Sequence, residues 1–229
     1  MKMTKEVMEV RMELAEETQK RTAENYRRLN KVAKKGQILF TGSSLMEQFP
    51  VCEIAMNHEL GKIVYNRGIG GFTSVDFIEN IDAMLFGLEP KYIFTNIGTN
   101  DLRDLDDGTP WQVNLEKNLT YILGQIKERL PETQVYMMAY YPMNDEDEEF
   151  REFAKLSGTI RTNKTLEEAR EIEKRVTGKF GYNYIDVNEG LTDENGNLKA
   201  AFCKDAVHFY PDGYEIVYRN LEKYLEECK

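Results

Sequence analysis

The 229-residue chain is poor in the residues that most often announce chemistry: three cysteines, two histidines and one tryptophan. Cys52, Cys203 and Cys228 stand at unrelated spacings, and no Cys-x-x-Cys pair occurs. An odd, scattered set of thiols makes neither a disulfide framework nor a thiolate metal site, and it suits a reducing cytoplasm, the expected compartment. With His58 and His208 alone, a histidine-rich metal site is excluded, and no metal or other cofactor is expected. No stretch of about 18 apolar residues is present, so no membrane-spanning helix is expected. The opening MKMTKEVMEVRMELAEE also lacks the apolar core of a secretory signal. A basic excess is missing too: 30 Lys and Arg face 40 Asp and Glu, a net charge of −10 that argues against a nucleic-acid partner. Internal repeats and low-complexity tracts are absent. Serine itself is scarce, yet two of the four (Ser43, Ser44, Ser74, Ser157) are adjacent.

What is present is an ordinary globular balance, 41% apolar and 31% charged, in a length that suits one large domain with a full core. Residues 5–34 are highly charged, but Leu14, Thr18, Thr22, Tyr26, Leu29 and Val32 recur every three to four positions, and Gly36 stands at a helix stop. This predicts a long N-terminal helical extension (1–36) ahead of the main domain (37–229). Its narrow stripe would lie on the body, over its rim as a lid, or on a second subunit in a homodimer. Compact apolar runs follow at 37–42, 62–66, 91–98, 134–141 and 182–187, each bounded by Gly, Pro or polar residues, as buried parallel strands are. Between them lie helical patterns. Residues 73–86 open with Thr73 and Asp76 at capping-box spacing, 112–130 end at Pro131, 165–178 begin Thr165-x-x-Glu168, and 211–227 start with Pro211. A further helical stretch, 53–60, carries His58 towards the surface, and the acidic run 144–149 reads as a solvated loop. Strands alternating with helices imply an α/β protein: a three-layer α/β/α fold on a five-stranded parallel sheet of flavodoxin-like order 2-1-3-4-5.

Ligands of such sheets bind beyond the carboxyl ends of the strands, and the residues there are chemically suggestive. Gly42-Ser43-Ser44-Leu45 follows the first strand, Asn66-Arg67-Gly68-Ile69-Gly70-Gly71 the second, Gly98-Thr99-Asn100-Asp101 the third, and Asp205-Ala206-Val207-His208 the fifth after a longer excursion. Each has a plain reading. Ser44 could cap a helix, His208 could be structural, Asn100 or Asp101 could brace a turn, and Gly71 could serve backbone conformation alone. Gly68–Gly71 lacks the Gly-x-Gly-x-x-Gly spacing of a dinucleotide site and follows the second strand. Together, though, they supply what acyl transfer needs: a hydroxyl, an imidazole to take its proton, a carboxylate to orient the imidazole, and N–H donors for an oxyanion.

These four blocks resemble those of the GDSL, or SGNH, hydrolases over residues 37–225. The resemblance implies a serine esterase or acylhydrolase with the three-layer fold. By position, Ser44 would be the nucleophile, His208 the base and Asp205 its partner, while the Ser44 and Gly71 N–H groups and the Asn100 amide would form the oxyanion hole. Ser43 stands where the name-giving motif has aspartate, and Phe72 replaces a polar residue often found after the glycine. The Gly-x-Ser-x-Gly elbow of α/β-hydrolases is not matched, because Leu45 and Met46 follow the serine.

The implied substrate is a short-chain acyl ester, acetyl foremost, of a sugar, a lysolipid or another small molecule. Phe72, Leu102, Tyr140, Tyr141 and Tyr210 flank the blocks and could line its pocket; core packing or plain exposure is equally open to each. A catalytically silent binding module on the same fold, and an acyltransferase using the same acyl-enzyme, are the alternative readings.

Overall fold

The computed structural model describes residues 5–228. Helix α1 (Lys5–Asn30) precedes strand β1 (Ile38–Thr41), which leads into the single-turn α2 (Ser44–Glu47) and then α3 (Val51–Asn57). Strand β2 (Val64–Asn66) is followed by α4 (Ser74–Glu79) and α5 (Ile81–Met84), and β3 (Tyr92–Thr95) by α6 (Trp111–Arg129). Strand β4 (Gln134–Met138) leads to α7 (Glu148–Ser157) and α8 (Asn163–Lys179); after β5 (Asn183–Ile185) a long loop runs to α9 (Pro211–Glu227). The five strands form one parallel sheet in the expected order, β2-β1-β3-β4-β5. All five therefore release their chains on one rim, and the chemistry gathers there.

Alternation along the strands assigns a core to each face. Leu39, Ile93, Val135 and Met137 point to the face covered by α1, α4, α5, α6 and α8. Ile38, Phe40, Phe94, Tyr136 and Met138 point to the face covered by α2, α3 and α9. In-register pairing of Phe40 with Phe94 and of Phe94 with Tyr136 builds a ladder of stacked rings, 4.9 and 4.6 Å between centroids. Offset ring pairs of this kind add about 0.5–1.5 kcal/mol each beyond their buried area.

Four details differ from the sequence reading. Helix α1 stops at Asn30, and Leu14, Leu29 and Val32 are exposed. The face it presents to the body is Gln19, Ala23, Tyr26 and Asn30, held largely by hydrogen bonds rather than apolar burial. The 73–86 helix is broken at Asn80, which closes α4 and opens α5; the capping box of Thr73 and Asp76 is present as expected. Helix α8 begins at Asn163, because Thr162 and Thr165 form the capping box in place of Thr165 and Glu168. The acidic run is a loop only over 144–147: Asp147 accepts from the Phe150 N–H and starts α7, which takes in Glu148 and Glu149 and which Gly158 ends in the left-handed region. Among the described residues no helix is long and apolar enough to cross a membrane.

Candidate active site

Ser44 is the first residue of α2, immediately beyond β1. Neither adjacent serine caps that helix through its side chain: Ser43 is the buried N-cap residue without a side-chain cap bond, and the Ser44 hydroxyl is turned to His208. Two features bring the loop after β2 against this turn. The Arg67 and Ile69 N–H groups donate to the carbonyls of Phe40 and Gly42, prolonging the strand pairing past its end (2.8 and 3.0 Å). The Asn66 amide donates to the carbonyls of Met46 and Phe49 (2.6 and 3.0 Å), while its oxygen accepts the Gly68 N–H (2.9 Å). A Cβ at Gly68 would lie 2.3 Å from the Glu47 nitrogen, so only glycine fits. Gly71 has φ +78°, a left-handed conformation that favours glycine.

His208 and Asp205 sit on a tight loop before α9. Cys203 pairs with Phe209, and the Lys204 N–H donates to the His208 carbonyl (2.8 Å), which closes the loop. At its tip Ala206 has φ +62°, a conformation that costs a non-glycine residue about 1–2 kcal/mol. The strained turn lets the Asp205 carboxylate accept both the His208 backbone N–H (3.0 Å) and its ring Nδ1–H (2.7 Å to Oδ1, 2.9 Å to Oδ2). Because a carboxylate only accepts, Nδ1 carries the proton, and the lone pair of Nε2 accepts the Ser44 hydroxyl at 2.7 Å. Burial alone would raise the Asp205 carboxyl, but the bonds from His208 outweigh it and hold it below the ordinary value. From α9, the Tyr214 hydroxyl donates to the Leu45 carbonyl (2.9 Å) and locks the histidine's helix to the serine's turn.

The remaining candidates fall into two groups. The Ser44 and Gly71 N–H groups have no acceptor among the described residues, and Asn100, in the turn after β3, donates one amide hydrogen to the Phe72 carbonyl (3.0 Å). Its neighbour Asp101 braces instead: buried, it accepts the Ser74 N–H (2.8 Å) and hydroxyl at the start of α4, and burial pushes its carboxyl up to about 6. The pocket candidates separate differently. Leu102, Tyr140 and Tyr141 are fully buried and Phe72 nearly so. Tyr140 spends its hydroxyl on the Ile97 carbonyl (2.9 Å). These four are core side chains; of the five, Tyr210 alone is exposed, at the start of α9.

Two residues near the site escaped the sequence reading. Gln19 of α1 donates from Nε2 to the Gly70 carbonyl (2.7 Å). Arg161 is buried within electrostatic reach of Asp205, its Nε and Nη2 lacking partners among the described residues. A glutamine on a charged helix and an arginine in a loop carry no motif; only the tertiary arrangement brings them to the rim.

A hydroxyl bonded to an imidazole that a carboxylate orients is the arrangement nucleophilic acyl transfer requires. Solved structures with the same architecture include a protein from Streptococcus pneumonia provisionally named a platelet activating factor (26% identity, 97% of this chain and 100% of that one, TM-score 0.84). A GDSL-like lipase from Bacteroides thetaiotaomicron matches at 17% identity over 90% and 98% of the two chains, with a TM-score of 0.70. A variant of an acetyl xylan esterase from Geobacillus stearothermophilus matches at 16% identity over 84% and 95%, with a TM-score of 0.62. No curated protein sequence matches. The profile of the GDSL-like lipase/acylhydrolase family covers residues 50–216, most of the chain, and by that match the protein belongs to this family and is a carboxylic ester hydrolase.

Proposed function

We propose that the protein is a serine esterase that cleaves short-chain acyl esters, acetyl foremost, of a sugar, a lysolipid or another small alcohol through an acyl-enzyme on Ser44. The observation that carries this reading is the unbroken hydrogen-bonded line from Ser44 Oγ through His208 to Asp205, with 2.7 Å at each link. His208 Nε2 takes the Ser44 proton as Oγ attacks the ester carbonyl. The oxyanion is received by the N–H groups of Ser44 and Gly71 and by the Asn100 amide hydrogen not spent on Phe72. Asp205 stabilises the imidazolium and fixes its tautomer. His208 then protonates the leaving alcohol, the tetrahedral intermediate collapses to acyl-Ser44, and water repeats the sequence to release the acid.

The preference for a small acyl group draws support from the acetyl xylan esterases of the same fold and from the burial of Phe72, Leu102 and Tyr140, which leaves them no surface for a long chain. The three free thiols support a reducing, cytoplasmic setting. A series of p-nitrophenyl esters from acetate to octanoate tests the proposal on wild type, Ser43→Ala and Ser44→Ala. Wild type is expected to hydrolyse acetate best, Ser43→Ala to remain active, and Ser44→Ala to fall to background. Peak activity on octanoate would overturn the small-acyl assignment; full activity of Ser44→Ala would overturn the mechanism.

A further inference from the structure

The N-terminal helix reaches the loop after β2 at three places along one face. The Gln19 amide donates to the Gly70 carbonyl (2.7 Å), the Tyr26 hydroxyl to the Gly68 carbonyl (2.9 Å), and Asn30 Oδ1 accepts Arg67 Nε (3.0 Å). The first of these is singular. The carbonyl that Gln19 holds belongs to the peptide unit joining Gly70 to Gly71, the same unit whose N–H is assigned above to the oxyanion. No peptide bond among the described residues is cis, so the carbonyl and N–H of that unit point in opposite directions. Fixing the oxygen towards α1 therefore fixes the N–H away from α1. Gly70 is itself against the nucleophile's turn: a Cβ placed on it would lie 3.6 Å from the Ser44 Cβ.

We infer that Gln19 is a positioning residue for ester hydrolysis, orienting and polarising the Gly70–Gly71 peptide so that its N–H is ready for the tetrahedral oxyanion. The inference rests on the serine-esterase reading above. Orientation matters because neither neighbouring residue can supply it: both are glycines without a side chain, and Gly71 occupies a left-handed conformation (φ +78°) that nothing of its own enforces. Polarisation adds to it, since a donor on the carbonyl strengthens the N–H of the same amide in a chain of hydrogen bonds. The amide lies close against the turn: a Cβ built on Gly71 would meet Gln19 Nε2 at 2.8 Å and displace it. The N-terminal helix thus becomes part of the oxyanion machinery without touching substrate.

The test compares Gln19→Met, which keeps length and removes the donor, with Gln19→Glu, and uses Lys20→Ala on the exposed side of the helix as the control. On p-nitrophenyl acetate, Gln19→Met is expected to lose about three- to thirtyfold in kcat, less than the 10²–10³ for removing an oxyanion donor itself. KM should stay within about twofold, the melting temperature should hold, and Ser44 phosphonylation by a fluorophosphonate should slow in parallel. Gln19→Glu sets a carboxylate against a carbonyl, and its protonated form regains an O–H to donate. Its kcat relative to wild type should therefore rise from about pH 8 to about pH 5, while the Gln19→Met ratio stays flat. A Gln19→Met enzyme as fast as wild type overturns the inference. So does a loss that follows the melting temperature with a flat Gln19→Glu ratio, the signature of a helix anchor alone. Wild type that neither turns over nor labels at Ser44 removes the esterase reading and this inference together; active wild type with an indifferent Gln19 removes the inference alone.

Discussion

The two histidines of this chain sit in environments that look alike and do opposite things. His58, at the end of α3, places Nδ1 on Glu222 (2.8 Å) and Nε2 on Glu215 (2.9 Å), both from α9, with its ring against Tyr218. Both ring nitrogens are taken up by carboxylates of α9, and the ring is a clamp between α3 and α9. His208 has a carboxylate on one nitrogen and a hydroxyl on the other. That single replacement leaves a lone pair facing a proton that can be moved. A carboxylate beside a histidine says little; what the second nitrogen meets separates the base proposed at His208 from the structural pin at His58.

Breaking the comparison at its catalytic end should have the largest effect. His208→Ala is expected to lower kcat on p-nitrophenyl acetate by about 10⁴ or more, and Asp205→Asn, which spoils the tautomer, by a similar factor. Steady-state kinetics beside a melting curve checks both, because fold loss would lower the melting temperature and chemical loss would not.

Next comes a pH effect on stability from a buried carboxyl of the rim. Asp101 is raised from 3.8 to about 6 in the folded chain, by burial first. Between those values the folded protein holds a proton that the unfolded chain has released. This contribution to stability is fully present below about pH 4 and is lost as pH rises through about 6, up to ~3 kcal/mol in all. Asp101→Asn should flatten that segment of the stability–pH curve measured by urea unfolding. The smallest effect belongs to the clamp. His58→Ala should leave kcat within about twofold and cost about 1 kcal/mol of stability, since its contacts with Glu215 and Glu222 are partly exposed.

The sheet was legible because buried parallel strands write themselves as short apolar runs, and the candidate site could be singled out because a Ser, a Gly turn, an Asn and an Asp–His pair follow the first, second, third and fifth strands. The blocks around Ser44, Gly71, Asn100 and His208 all meet on one rim. The rest was hidden for a common reason. Helix α1 docks through Gln19, Tyr26 and Asn30; of the apolar stripe the periodicity marked, Tyr26 meets the body while Leu14, Leu29 and Val32 are exposed. Phe72, Leu102 and Tyr140 flank the motifs in sequence, but each packs into the core cluster on the α6 and α8 face of the sheet. Helix α7 was masked by acidic residues, although Phe150 and Phe153 keep a helical spacing after the Asp147 cap. Hydrogen-bonded docking leaves no hydrophobic signature; only the folded arrangement records it.

The most direct test of the account is covalent. Intact mass after incubation with a fluorophosphonate, followed by peptide mapping, asks whether the hydroxyl facing His208 is a nucleophile. One adduct per chain is expected on Ser44, absent from Ser44→Ala and suppressed in His208→Ala. An unlabelled wild-type chain, or an adduct on Ser43 that persists in Ser44→Ala, would contradict it.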